Sequence, residues 1–271
     1  MRPTGKLHLG HYHGVLKNWI ELQHTHECYF FVADWHALTT EYDHSETIAA
    51  HVTDMVIDWL AAGVSPGTAT LFIQSRVPEH AELHLLLSMM TPLGWLERVP
   101  SYKDQQEKLK EKDLATYGFL GYPLLQAADI LVYKAGNVPV GEDQVAHVEL
   151  TREVARRFNH IYGIILPEPQ ALLTQASKMP GLDGQKMSKS YGNTISLRED
   201  PKQIETKLRT MPTDPARVRL TDPGDPAKCP VWQLHEVYSD SEVKEWVKKG
   251  CTTAGIGCVE CKQPVIELCK S

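Results

Sequence analysis

The chain has 271 residues, 42% hydrophobic and 23% charged, the composition of an ordinary soluble globular protein with room for one large domain or one large and one small. No run of about 18 apolar residues occurs, and the opening MRPTGKLHLG has no apolar core, so a membrane span and a secretory signal are set aside and the cytoplasm is expected. With a formal net charge of −6, a phosphate-rich partner has to dock on a local basic patch.

Apolar residues at Val15, Leu16, Trp19, Ile20 and Leu22 predict a helix over 12–23. CYFFVAD, 28–34, reads as a buried strand ending in an acid. Ile48, Val52, Met55, Val56, Trp59 and Leu60 form one helical face over 45–62. TLFIQS, 70–75, is the next strand, and 79–90 the next helix. Helices are predicted over 118–133 and 142–158. From 167 to 226, Pro, Gly, Asp and Lys predict loops and short helices, and a Cys-rich tail follows. Strands alternating with helices imply an α/β fold with a parallel sheet and helices on both faces, its ligands lying beyond the carboxyl ends of the strands.

Two segments carry phosphate chemistry. PTGKLHLGHYHG, 3–14, is a turn leading into a helix, with His8, Gly10 and His11 at its start. Free backbone N–H groups at a helix start suit phosphate, glycine permits close approach, and imidazoles three apart share a face. GQKMSKSYGN, 184–193, is a glycine-bounded loop with two ammonium groups, Lys186 and Lys189, and two hydroxyls, Ser188 and Ser190. Such a loop can close over a pyrophosphate leaving group and neutralise its charge. Neither a GxxxxGK[ST] loop nor GxGxxG occurs.

HLGH (8–11) resembles the HIGH motif and KMSKS (186–190) the KMSKS motif of class I aminoacyl-tRNA synthetases. ADWHALTT (33–40), YPLLQAADILVYKA (122–135), VPVGEDQVAHVELTREVARRFN (138–159) and TDPARVR (213–219) narrow the resemblance to the tryptophanyl-tRNA synthetase family, over nearly the whole chain. The resemblance implies a Rossmann-type catalytic domain over 1–178, the KMSKS loop over 179–200 and a small helical tRNA- and anticodon-recognising region over 201–271. It implies a homodimer that uses ATP and Mg2+ to convert L-tryptophan into tryptophanyl-adenylate, then passes the acyl group to tRNA(Trp). The family has a short strand before Pro3 and several dozen further helical residues after Ser271; relative to that pattern both ends are shortened, while the adenylation motifs are intact.

The same resemblance implies residue roles. Arg2, Pro3, Thr4, Gly10 and His11 lie along ATP, Gly141, Glu142 and Asp143 meet its adenosine side, and Lys186, Met187, Ser188, Lys189 and Ser190 meet its phosphates. His8, His11, Lys186 and Lys189 are the expected catalytic groups. Tyr122 and Gln144 match positions that hold the substrate's α-amino group; Gln126, at a spot where some members carry Met, and His36, placed by its own position just past a strand end where such sheets bind ligands, complete the tryptophan set. Asp129 also has a reading from its own chemistry: a carboxylate inside LLQAADILVY needs a partner, and an indole N–H, a donor only, matches an ionised acceptor.

Cys229, Cys251, Cys258 and Cys261, separated by 21, 6 and 2 residues, suit a structural zinc or a [4Fe–4S] cluster, and their chemistry alone leaves both open. GCTTAGIGCVECK (250–262) resembles the iron–sulfur subset of the family, which implies the cluster, with zinc as the alternative. Cys28 reads as a core residue, and Cys269 has no assigned role. Rival readings are a tRNA-independent nucleotidyltransferase of the HIGH-motif superfamily, a non-catalytic RNA-binding or redox-sensing relative, and a tyrosine-specific enzyme of the same fold.

Overall fold

The computed structural model describes residues 1–100, 115–173 and 179–270. The chain forms two compact units, one of Met1–Gly5 with Trp19–Gln175, the other of Lys6–Asn18 with Ala176–Ser271.

In the first unit, β1 (Cys28–Val32) and β2 (Ala69–Ile73) pair in parallel, Cys28 opposite Ala69 and Val32 opposite Ile73. Alternation turns Cys28, Phe30 and Val32 inward. A parallel pair needs a long crossover, supplied here by α1 (Asp34–Glu41) and α2 (Ile48–Ala62). Gly63 ends α2 at φ +110°, its N–H returning to the carbonyls of Leu60 and Trp59, a left-handed stop that favours glycine. Trp59, fully buried, meets Trp19 edge-on, and Trp19 stacks flat on Phe30 with centroids 4.2 Å apart. Met1 joins the free edge of β1: its nitrogen donates to the Phe31 carbonyl and its carbonyl accepts from the Ala33 N–H, both at 2.8 Å.

After α3 (Glu79–Ser88) and α4 (Leu93–Glu97) comes α5 (Tyr117–Leu131), whose start is capped by the Thr116 hydroxyl, 3.2 Å from the Phe119 N–H. Ala127 and Ala128, both fully buried, sit in one core with Leu124 and Leu131 of α5 and Leu150, Val154 and Ala155 of α6 (Val145–Tyr162). β3 (Asn137–Val140) and β4 (Gln170–Leu173) form a second parallel pair. The composition of 167–226 predicts loops and short helices there; β4, and the ten-residue helix α7 (Pro201–Thr210), are the exceptions. The helix predicted over 142–158 opens as a 3-10 turn, Glu142–Gln144, and runs on to Tyr162.

The second unit packs Met179, Met187, Ile195, Ile204, Leu208, Val231, Leu234 and Ile266 into its core. Its helices α7, α8 (Pro230–Tyr238) and α9 (Ser241–Thr252) start on proline or an aspartate cap, and α10 (Cys258–Lys270) follows. The helix predicted over 12–23 begins earlier and is not uniform: an α turn at Leu9–His11, a π-helical stretch at Tyr12–Leu16, then an α-helix at Lys17–Leu22.

Candidate functional site

A cleft of about 300 Å³ opens in the first unit. All five residues expected to hold tryptophan line it: His36, Tyr122, Gln126, Asp129 and Gln144; Arg2 lines it too. Asp129 is 5% exposed and fully engaged on one oxygen: Oδ1 accepts from Gln74 Nε2 at 2.7 Å and from His80 Nδ1 at 2.6 Å. Oδ2 accepts from His36 Nε2 at 2.7 Å. Burial pushes this carboxyl up, but the charge and hydrogen bonds of His36 and His80 outweigh it and hold it below the usual carboxylate range. A carboxylate has about four acceptor positions. Three are taken, so Oδ2 retains one for a ligand donor. Gln74 and His80 are functional residues that sequence reasoning missed. Gln74 is the next-to-last residue of the predicted strand 70–75, near the carboxyl end where ligands are expected to gather, and that was the available signal.

A second network lies on the same cleft. His147 Nδ1 is 2.6 Å from Gln126 Oε1, and His147 Nε2 is 3.3 Å from the Tyr122 hydroxyl. Burial, with the nearby His36, lowers the His147 pKa to about 4, so the ring is neutral at pH 7 and carries one proton. Gln126 Oε1 only accepts, so that proton is on Nδ1 and Nε2 accepts from Tyr122. Tyr122 itself lines the cleft. Gln144 Nε2 donates to Asp143 Oδ2 at 3.3 Å, which leaves its Oε1 as a second acceptor. His147 was quoted within the segment 138–159 but given no role; a histidine on a helix face carries no signal of its partners.

In the second unit the two phosphate segments come together. His8 caps the helix start: its Nδ1 accepts from the Gly10 N–H at 3.1 Å, and His11 Nδ1 accepts from the His8 N–H at 3.2 Å. Both Nδ1 atoms are thus acceptors, and the neutral rings carry their protons at Nε2 as donors. They are neutral: burial, aided by Lys189, lowers His8 to about 4, and burial, aided by His8 and Lys189, lowers His11 to about 3. That Lys189 acts on both imidazoles places its ammonium in their neighbourhood. The ring centroids are 3.8 Å apart. A Cβ at Gly10 would lie 2.9 Å from the His8 ring, so glycine is required for the caps to form.

The loop is fixed by packing beneath it. Met187 is 5% exposed and packs in the core, its N–H donating to the Met179 carbonyl at 3.0 Å. Asn193 Oδ1 accepts from the Ser188 N–H at 2.8 Å, and its Nδ2 donates to Asp183 Oδ1 at 2.7 Å and the Lys186 carbonyl at 3.2 Å. Gly181 leaves room for it; a Cβ there would meet Asn193 Nδ2 at 2.1 Å. Asn193 is a further residue without an assigned role in the sequence. Lys186 and Lys189 are exposed, and the Ser190 side chain lies outside the described residues. The expected ATP residues therefore divide between the units: Arg2, Pro3, Thr4 and Gly141–Asp143 in the first, Gly10, His11 and the 186–190 loop in the second.

With this geometry in view, similarity to known proteins is informative. The class I tRNA synthetase family (W and Y) matches residues 1–271. The chain belongs to that family. It is 62% identical to the tryptophan–tRNA ligase of Ralstonia nicotianae, over 98% of this chain and 84% of that protein. It is 56% identical to the tryptophan–tRNA ligase of Thermotoga maritima, over the whole of this chain and 83% of that protein. Among solved structures, tryptophanyl-tRNA synthetase from Campylobacter jejuni complexed with ADP and tryptophan superimposes with a TM-score of 0.87 at 33% identity, over 99% of this chain and 83% of that one. The fold is thus the α/β fold of class I synthetases, as the alternation of elements implies.

Five of the six cysteines lie in the second unit, and Cys28 is buried in β1 of the first. Cys229, Cys251, Cys258 and Cys261 are free thiols. Burial first, then the other three cysteines, pushes the Cys261 thiol up to about 12, and Cys251 is raised by burial and by Cys229 and Cys258. Cys251 and Cys261 therefore hold their protons more tightly than a free thiol does. Among the described residues, no three His, Cys, Asp or Glu side chains are gathered closely enough to hold a metal ion. No described helix is long and apolar enough to cross a membrane.

Proposed function

We propose that this synthetase is a tryptophan–tRNA ligase: with ATP it converts L-tryptophan into tryptophanyl-adenylate and pyrophosphate, then transfers the acyl group to tRNA(Trp). The observation that supports this most is that HLGH and KMSKS, 175 residues apart in sequence (186 less 11), fold into one unit where Lys189 acts on His8 and His11.

Tryptophan occupies the cleft of the first unit. Its indole N–H donates to Oδ2 of the ionised Asp129, and its α-ammonium is met by the Tyr122 oxygen and Gln144 Oε1. The substrate carboxylate is ionised at pH 7 and needs no general base. Its oxygen forms the bond to the α-phosphorus of ATP while the bond to the bridging β-phosphate oxygen breaks, and pyrophosphate leaves with that electron pair. Catalysis is alignment and charge stabilisation. Lys189 and Lys186 neutralise the leaving group, and the His8 and His11 Nε2–H groups donate to its oxygens. Arg2, Pro3, Thr4 and Gly141–Asp143 contact the rest of the nucleotide, and Mg2+ shields the triphosphate. Residues 201–271 contribute to tRNA recognition, the protein works in the cytoplasm, and two copies pair. Leu85 and Leu86 of α3, Met89 just after it and Leu93 of α4, 56–74% exposed, are apolar surface suited to that pairing.

Tryptophan-dependent exchange of pyrophosphate into ATP is the test. Tryptophan should drive it, and Lys189→Ala should slow it about a hundredfold with tryptophan affinity unchanged; exchange driven by tyrosine instead would reject the assignment. Cys229, Cys251, Cys258 and Cys261 hold a [4Fe–4S] cluster that braces the helical region. The sequence 250–262 supports this reading. Anaerobically purified protein should be brown with four irons per chain by the four-cysteine rule; a colourless protein with one zinc would replace the cluster by the metal alternative.

A further inference from the structure

The π-helical stretch Tyr12–Leu16 directly follows the signature histidine His11. A π turn is rare, appearing mostly as a single-turn bulge inside an α-helix and frequently at a functional site, so what packs against it matters. Within this stretch His13 has a distant partner: its Nε2 is 2.9 Å from the Tyr238 hydroxyl, and the rings meet edge-on at 84° with centroids 5.0 Å apart. The pair joins positions 225 residues apart in the chain.

Tyr238 is itself firmly placed. It is the last residue of α8, one turn beyond His235, which is fully buried. His235 Nδ1 bonds Ser239 Oγ at 2.8 Å, and its Nε2 bonds the Cys261 carbonyl at 3.0 Å, tying α8 to α10. Tyr238 and Cys269, near the far end of α10, pack against the same core. One hydroxyl thus links a residue seated on that core to the residue two places after His11.

We propose that Tyr238 is a positioning residue for adenylation: through His13 it holds the π turn, and the π turn sets where His8, Gly10 and His11 meet the ATP phosphates. The proposal rests on the reading of His8 and His11 as phosphate donors. Because the brace lies wholly in the second unit, its loss acts on the nucleotide side of the reaction and leaves the tryptophan cleft of the first unit intact.

Tyr238→Phe in the full chain removes the hydroxyl and keeps the ring. Pyrophosphate exchange should lose about three- to tenfold in kcat/KM for ATP, the factor that one hydrogen bond carries, while tryptophan KM stays within about twofold of wild type. Amide hydrogen exchange over 12–16 should quicken. If Tyr238→Phe fails to fold, His13→Phe removes the same bond from the other side. Where both variants fold, their combination should cost no more than either alone. Wild-type ATP kinetics in the single variants, additive losses in the double variant, or a lower melting temperature with no split between ATP and tryptophan would overturn the proposal. Lys189→Ala separates the two levels: if it leaves exchange unchanged, the phosphate-site reading fails, whereas a slow Lys189→Ala beside an unimpaired Tyr238→Phe removes only the role of Tyr238.

Discussion

Asp129 shows how one buried charge is made usable. Left alone it would be protonated or unstable; three donors keep it ionised and fix its orientation, so that one lone pair is presented to the cleft. Substitution Asp129→Asn keeps the shape but replaces one acceptor oxygen with donors. The lost charge-assisted bond to indole is worth about 1.5–3 kcal/mol, so tryptophan affinity should fall roughly ten- to 150-fold, as read by equilibrium dialysis with labelled tryptophan; unchanged affinity would move the indole N–H elsewhere. The need for a partner at Asp129 was legible in the chain, because an acid inside an apolar helical run always needs one. Which groups supply it was not legible: Gln74 and His80 come from positions 55 and 49 residues away.

At the scale of elements, the two signature segments are shaped by residues that make no chemistry of their own. Gly10 admits the His8 ring, Met187 roots the loop in the core, and Asn193 ties Ser188, Lys186 and Asp183 together. Asn193→Ala leaves the Ser188 N–H and the Lys186 carbonyl without that partner. Exchange of pyrophosphate into ATP should slow roughly tenfold, with tryptophan affinity retained, because closure of a loop is sensitive to its resting geometry. A rate within twofold of wild type, measured at saturating substrates, would show that the loop keeps its shape without the asparagine. Long periodic helices such as 45–62 and 118–133 were readable in the sequence because one apolar face repeats over several turns. The π stretch and β4 were not, since four or five residues give too few repeats to define a period.

For the whole molecule, acid should be destabilising well before the carboxylates titrate. His8 and His147 titrate at about 4 and His11 at about 3 in the folded chain, against 6.5 in an unfolded one. Between about pH 6.5 and 4 the unfolded state binds more protons, so stability falls as pH is lowered through that window and is level above about 7. His13, His84 and His235, also lowered by burial, add in the same direction. Urea midpoints measured on ligand-free protein from pH 8 to 4 check this; a flat profile down to pH 4.5 would mean that the imidazoles are open to water. The sequence by itself determined the class of fold and singled out the two signature segments and the acid at position 129, because periodicity, glycine spacing and a buried charge are local properties of a chain. Only the tertiary structure decided which ring nitrogens carry protons, which oxygens remain open as acceptors, and that His13 rests on Tyr238, because each of these is fixed by a partner that folding brings from a distant part of the chain.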